Sequence, residues 1–389
     1  MKGHLRERSP GRWAIVIDLH DPETGKRKRK WHSFCGTKRQ AQVECSRLIS
    51  QIKDGVYIEP AKMTVRQFLD YWLDHMKSQV APRTHERYGE IALNCVAPLL
   101  GNVLLPKLRP VQISAAYSKA LAEGRRNGKG GLAPRTVVHM HRILRQALQQ
   151  AVDWEMLARN PTDKLKPPKV EQAKIRALDA SETAALLEAI RPYRLFMPVL
   201  LAVTCGMRRG EITALRWGSV DLVNSQVEIK LSTEQTRNGV REKETKTGRG
   251  RTVALTALAV EELRRHKIRQ AEELFRLGMR QSDDTYVVAQ ADGQRLKPNS
   301  LTHEFVRFIA GTELPRIRFH DLRHTHATQL LKSNVHPKIV QERLGHEDIS
   351  TTLNLYSHVL PGMQDAAAKS VDLALREALD QRRRAKTIG

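Results

Sequence analysis

The sequence is short of cysteine, of long apolar runs and, relative to its base content, of acid. Its four cysteines, Cys35, Cys45, Cys95 and Cys205, are scattered without a Cys-x-x-Cys pair, so neither a disulfide framework nor a cysteine zinc site is expected. A reducing cytosol suits such a chain. No stretch approaches the roughly 20 apolar residues needed to cross a bilayer. Lys2 to Gly11 is charged and lacks an apolar segment, so no secretory signal is expected either. The deficit of acid is the most informative of these. Asp and Glu number 42 against 66 Lys and Arg, a formal charge of +24, and a surplus of that size points to a polyanionic partner, nucleic acid first.

The 389 residues leave room for about two or three domains. The basic excess is spread along them: residues 1–60 carry 13 basic and 7 acidic side chains, 61–170 carry 18 and 8, and 171–389 carry 35 and 27. Such a spread is expected where every domain touches the same polyanion. In the first segment, Trp13 to Leu19 and Lys26 to Phe34 read as a hairpin around the turn Asp21-Pro-Glu-Thr-Gly25, followed by a helix over about Lys38 to Lys53. The return strand holds an unbroken basic run. Arg12, Lys26, Arg27, Lys28, Arg29 and Lys30 are candidate DNA contacts if the sheet enters a groove; a lysine-protected edge strand is the alternative.

Helical spacing follows in Val65, Phe68, Leu69, Trp72 and Leu73, and again in Val137, Met140, Ile143, Leu144, Ala147 and Leu148. Between them lies a basic loop without apolar content, Arg125 to Gly131, and the opening of the next helix at Ala133-Pro134-Arg135. Arg125, Arg126, Lys129 and Arg135 are further candidate DNA contacts. Pro161, Pro167 and Pro168 among many charges mark an extended linker before residue 177. Beyond it, Ser181 to Ile190 reads as a helix capped by Ser181, and Phe196 to Val203 begins a buried one. Val227 to Leu231 and Arg251 to Leu255 read as strands flanking a polar turn.

Four islands in the last segment supply what metal-free phosphoryl transfer needs: cations around the phosphate, a nucleophile, and a proton donor for the leaving oxygen. Arg208, with Glu211 three residues on, forms a phosphate clamp of the Arg-x-x-Glu type. Lys246, in the basic turn Glu244 to Arg251, is a candidate proton donor. In His320-Asp321-Leu322-Arg323 one helical turn brings an imidazole and a guanidinium to one side. Finally His346 and Tyr356 flank Ser350-Thr351-Thr352, which reads as the cap of a short helix that returns the phenol toward the imidazole. His324 and His326 also invite a zinc reading, although no acidic or cysteine ligand joins them.

Arg, Lys, His-x-x-Arg, His and Tyr in this order resemble the tyrosine recombinase family, also called phage integrases. The resemblance extends over nearly the whole chain, with minor departures at Cys205, Gly250 and Ala254. It implies a multidomain α+β architecture: an N-terminal three-stranded β-sheet plus helix, an all-helical core-binding domain, and a mainly helical catalytic domain with a small β-sheet. Residues 1–58 would bind arm-type DNA, 62–165 would form the core-binding (SAM-like) domain, 166–177 the linker and 178–389 the catalytic domain. Arg208 and Arg323 would clamp the scissile phosphate, Lys246 would act as general acid, His320 as general base or donor, and His346 as hydrogen-bond donor to the phosphate. Glu211 would support the site and Tyr356 would attack, forming a 3′-phosphotyrosyl bond with no cofactor and no metal.

Family members act on double-stranded DNA, at core and arm sites, as homotetramers, with an accessory DNA-bending protein or excisionase as a possible partner. The segment Met363 to Leu379, with Val371, Leu375 and Leu379 on one side, would be the tail that docks on a neighbour; packing on its own domain is the alternative. The competing functions are a type IB topoisomerase, a catalytically silent DNA-binding regulator and a zinc hydrolase.

Overall fold

The computed structural model of the chain describes residues 2–20, 27–53, 62–125, 128, 130–170, 176–244, 250–356, 368–369 and 371–380. The chain is predominantly helical with small sheets, and it divides into two units, Met1–Val170 and Glu171–Gly389.

The first unit opens with an antiparallel sheet in the order β1 (Lys2–Ser9), β2 (Arg12–His20), β3 (Arg27–Cys35). Pro10 and Gly11, the latter at φ +75°, make the turn from β1 to β2. The β-branched run of β2 makes it the central strand, and α1 (Lys38–Lys53) lays Cys45, Leu48 and Ile49 against Ile15 and Ile17. Among the helices that follow, α2 (Val65–Met76) starts at Thr64, whose hydroxyl accepts from the Gln67 amide while the Gln67 side chain accepts from the Thr64 amide. α3 (Pro82–Ile91) runs through a single π turn, Ala92–Val96, into α4 (Ala97–Leu100); α5 (Pro110–Glu123) and α6 (Pro134–Asp153) complete the layer. Both apolar stripes read from the sequence are buried in one core, where Trp72 stacks on Tyr88 at 5.3 Å.

The second unit begins with α7 (Ala180–Ile190). Its cap is Asp179, not Ser181: the Asp179 carboxylate accepts from the Glu182 amide at 2.8 Å and Glu182 reciprocates at 3.0 Å. A carboxylate at the cap also interacts favourably with the helix dipole, and the acid three residues on completes the box, which Ser181 with Ala184 could not. α8 (Phe196–Cys205) is apolar on all sides and almost wholly buried, ending at Gly206 with φ +64°. The short α9 (Arg209–Ala214) follows directly.

Three short strands, β4 (Val220–Asp221), β5 (Gln226–Ile229) and β8 (Arg251–Ala254), form one antiparallel sheet. The stretch between β5 and β8 is more than a polar turn, because it folds into a second hairpin of β6 (Leu231–Thr236) and β7 (Gly239–Glu244). Almost every residue of that hairpin is polar, so it has no apolar face to announce itself. Cross-strand ion pairs from Glu234 to Arg241 (2.7 Å) and Lys243 (2.6 Å) supply the register instead. α10 (Ala257–Arg276), α11 (Pro298–Ala310), α12 (Asp321–Lys332), α13 (Pro337–Leu344) and α14 (Ile349–Tyr356) complete the unit. Residues 371–380 are helical, and all of them are exposed, Val371, Leu373, Leu375 and Leu379 included. Among the described residues no helix is long and apolar enough to cross a membrane.

Candidate active site

Two helices of the second unit end alike. α8 closes on Gly206 (φ +64°) and α13 on Gly345 (φ +65°), both left-handed turns that leave main-chain carbonyls pointing out of the helix end. Arginines occupy those carbonyls. Arg323, only 2% exposed on the first turn of α12, donates from Nη1 to Gly206 O and from Nη2 to Leu344 O, each at 2.6 Å. Arg208 donates from Nη2 to the next carbonyl, Gly345 O, at 2.9 Å. Two cations thus meet over consecutive residues of one turn, where the carbonyl ends of two helices offset their mutual repulsion.

Arg208 is also held from beneath. Glu211, 2% exposed, accepts from Arg208 Nη1 and from the Arg208 amide, both at 2.8 Å. Arg251 approaches the same carboxylate from β8, with Nη1 to Oε1 at 3.0 Å and Nη2 to Oε2 at 2.7 Å, while its Nε donates to Arg343 O at 3.0 Å. Burial alone would raise the Glu211 pKa, but the Arg251 hydrogen bonds and both guanidinium charges outweigh it and hold it at about 2. The adjacent Arg209 turns away to Thr302.

Three imidazoles lie close by. His346 follows Gly345 and shares a 2.8 Å hydrogen bond between Nδ1 and the fully buried Thr352 hydroxyl. Desolvation, then the Arg323 and Arg208 charges, push it down to about 3. The ring is therefore neutral near pH 7, and if Nδ1 accepts from Thr352, Nε2 carries the proton. His320 immediately precedes α12 on the solvent-facing rim; partial desolvation and then Arg323 lower its pKa below the usual histidine value. It meets His324 edge to face, ring centroids 5.0 Å apart, and His324 falls to about 4 through desolvation and then His320.

His326 points away, to Val203 O through Nδ1 at 2.8 Å, and its Nε2 accepts from Arg343 Nε at 3.0 Å. With the proton on Nδ1 and the Nε2 lone pair engaged, His326 offers nothing to a metal, and the zinc reading loses one of its two ligands. No cluster of three or more metal-ligating side chains occurs among the described residues. Arg343 anchors the same C-terminal end of α8, with Nη2 at 2.9 Å from both Thr204 O and Ala254 O.

Of the expected site residues, Arg208, Glu211, His320, Arg323 and His346 come together. Lys246 lies outside the described residues. Tyr356 is the last residue of α14, and its side chain lies outside the described set. The helix that carries it is not capped by Ser350-Thr351-Thr352: it starts at Ile349, Asp348 Oδ1 accepts from the Ser350 amide at 2.9 Å, and Thr352 is buried one turn in, holding His346. Arg251, Arg343 and Thr352 were not read as site residues. A signal existed for Arg251, which shares the inward face of β8 with buried Val253, an unusual place for a charge.

In the first unit the expected DNA contacts are dispersed. Arg12 is exposed at the start of β2, and Arg29 is ion-paired with Asp18 at 3.2 Å, its register partner across β2 and β3. Arg27, Lys28 and Lys30 lie on β3 with side chains outside the described set, and Lys26, Arg126 and Lys129 lie outside the described residues. Arg125 closes its loop, its amide donating to Gly130 O and its Nε to Gly131 O, each at 3.0 Å. Arg135 is exposed on the first turn of α6, next to a cluster the sequence reading missed: Arg142 two turns along the same face, Arg87 of α3, and His139, whose pKa is lowered by desolvation and then by Arg87, Arg142 and Arg135.

Known proteins resemble this chain over most of its length. Residues 176–362 match the phage integrase family and residues 64–121 match the phage integrase N-terminal SAM-like domain. A tyrosine recombinase XerC-like protein of Caldanaerobacter subterraneus subsp. tengcongensis is 26% identical over 92% of this chain and 95% of its own length. The fold is shared with the Tn1549 transposon integrase in complex with a circular intermediate DNA (TM-score 0.65, 18% identity, 76% of this chain and 95% of that one). It is also shared with a lambda integrase tetramer bound to a Holliday junction (TM-score 0.55, 19% identity, 88% and 95%). With these matches to residues 64–121 and 176–362, the chain belongs to the phage integrase family of tyrosine recombinases.

Proposed function

We propose that this protein is a site-specific DNA recombinase that cuts and rejoins strands through a 3′-phosphotyrosyl intermediate on Tyr356, integrating or excising a mobile element. The observation that carries the reading is the meeting of Arg208 and Arg323 on the adjacent carbonyls of Leu344 and Gly345, beside His320 and His346. Two guanidiniums so held would receive the non-bridging oxygens of one phosphate without rearranging. Neutral His346 would donate Nε2–H to a third contact on the phosphate. Neutral His320 would take the phenolic proton as the tyrosyl oxygen bonds to phosphorus and the bond to the 5′-oxygen breaks, and Lys246 would protonate that leaving oxygen. One phosphoester replaces another, so neither ATP nor a metal is needed for the energetics.

Residues 1–58 act as the arm-binding domain, 62–165 as the core-binding domain and 178–389 as the catalytic domain on this reading, with double-stranded DNA as the partner of all three. The exposed apolar side chains of 371–380 suit docking on a neighbouring protomer in a tetramer. A nicked suicide duplex carrying the core site tests the reading. Wild-type protein is expected to become covalently attached to it in EDTA, and Tyr356→Phe to abolish the adduct. An adduct that survives in the variant removes Tyr356 from its role, and one that needs a divalent metal removes the metal-free mechanism.

A further inference from the structure

We propose that Arg251 is a positioning residue for strand cleavage: it neutralises Glu211 and fastens the start of α9 to the end of α13, so that Arg208 and His346 face the phosphate. The inference rests on the function proposed above and adds a residue to it.

Arg251 directs its guanidinium at the protein, Nε to Arg343 O and both Nη atoms to the two oxygens of Glu211. Its side chain is 13% exposed, against 39% for Arg208 on the other side of the same carboxylate. One cation is thus spent inward and the other presented outward. The charge count makes the division useful. Arg208 and Glu211 alone would be a neutral pair with little attraction for a phosphate, whereas the trio with Arg251 retains one positive charge, and the exposed member is Arg208.

The guanidinium also lies directly under the turn that carries His346. A Cβ at Gly345 would come within 2.9 Å of Arg251 Nη1 and 3.0 Å of its Cδ, so any larger residue in this left-handed turn would press on the Arg251 side chain. Three separate elements of the site, the N-terminus of α9, strand β8 and the C-terminal turn of α13, are therefore joined through one residue. A displacement of about 1 Å in groups that clamp a reacting phosphate costs on the order of 100-fold in rate.

The test measures covalent capture of the suicide duplex at saturating DNA for Arg251→Gln, Arg251→Lys, Glu211→Gln and the double variant Glu211→Gln/Arg251→Gln, with DNA affinity and melting temperature recorded for each. Arg251→Gln is expected to slow capture by ~100-fold while DNA affinity changes far less. Arg251→Lys, which keeps the charge but not the fork, recovers part of the loss and keeps the test alive should the glutamine variant unfold. Because Arg251 acts through Glu211, the double variant should be no slower than the slower single variant.

Acid supplies a readout that a general loss of fold would not mimic. Without Arg251 the Glu211 carboxylate protonates more easily, so the residual activity of Arg251→Gln should fall further between pH 7 and pH 5, and the double variant should lack that fall. Wild-type-like capture by Arg251→Gln, or losses that multiply in the double variant, overturns the proposal. Failure of the wild-type protein to be captured at all overturns the function itself instead.

Discussion

Arginine is handled differently in the two units. In the second, Arg323 and Arg251 are almost out of solvent, and their N–H groups are shared among the carbonyls of Gly206, Leu344 and Arg343 and the carboxylate of Glu211. In the first, Arg83 and Arg87 are about half exposed and pair with Glu86 and Glu90 one turn away, while Arg135 and Arg142 face water. Surface pairs of the latter kind contribute about 0–1 kcal/mol and are screened by salt. The buried set cannot move without leaving main-chain carbonyls unpaired. Fixed cations suit a site where one phosphate must be held for attack, and mobile ones suit a surface that follows a backbone.

The contrast breaks hardest at Arg323. Arg323→Ala strands two buried carbonyls and removes half the clamp, so suicide-duplex capture should drop by about 10²–10³-fold and urea unfolding should show a loss of roughly 1–3 kcal/mol. Unchanged capture would mean the buried arginine is structural only. Next come two glycines with nearly the same φ. A Cβ at Gly206 (φ +64°) meets His326 Cδ2 and Leu344 Cδ2 at 2.7 Å, whereas one at Gly128 (φ +69°) meets nothing within 4 Å. Gly206→Ala should cost about 3 kcal/mol or more and Gly128→Ala only about 1–2 kcal/mol, the left-handed penalty alone. Equal losses would show that the arginine-capped turn is no tighter than the loop.

The pH dependence of stability sharpens the same difference. His324 and His326 are pushed down to about 4 and His346 to about 3, in each case first by desolvation. An unfolded histidine titrates near 6.5, so below that pH the unfolded chain binds more protons than the folded one. The stability these rings confer is complete above about pH 6.5 and is lost as pH falls toward 4, by up to about tenfold in the folded-to-unfolded ratio per ring per pH unit. Glu211, at about 2 against an ordinary 4.5, confers stability that is complete above about pH 4.5 and is lost only as pH falls from there toward 2. Melts from pH 7.5 to 5 should therefore fall steadily, and His326→Gln should flatten the slope; a flat wild-type profile refutes the depressed values. The smallest effect belongs to the solvent-facing arginines. Arg142→Ala should weaken DNA binding and reduce its salt slope by about 1, with stability changed by less than about 0.5 kcal/mol.

Legibility followed the range of each interaction. The stripes of α2 and α6 and the buried run of α8 were readable because one face repeats at a helical period. The α7 cap was misplaced by two residues because Asp179 and Ser181 both precede the apolar run and only hydrogen bonding separates them. The β6 and β7 hairpin was invisible as strand, since its pairing rests on charges such as Glu234 with Arg241 and Lys243. Arg343 lies in the last turn of α13, where a cation is ordinarily read as a dipole partner, and nothing local reveals that it spans to Thr204 and Ala254.

Sequence alone determined the basic excess, the apolar faces of the helices and the order of Arg208, His320, Arg323, His346 and Tyr356, because residue type and local period are properties of the chain. Only the tertiary structure decided which arginines are buried and committed and which face outward, that Arg251 shares Glu211 with Arg208, and that the imidazoles beside them are neutral near pH 7. Those are consequences of desolvation and of charges brought together from distant parts of the chain, and neither follows from neighbours in sequence.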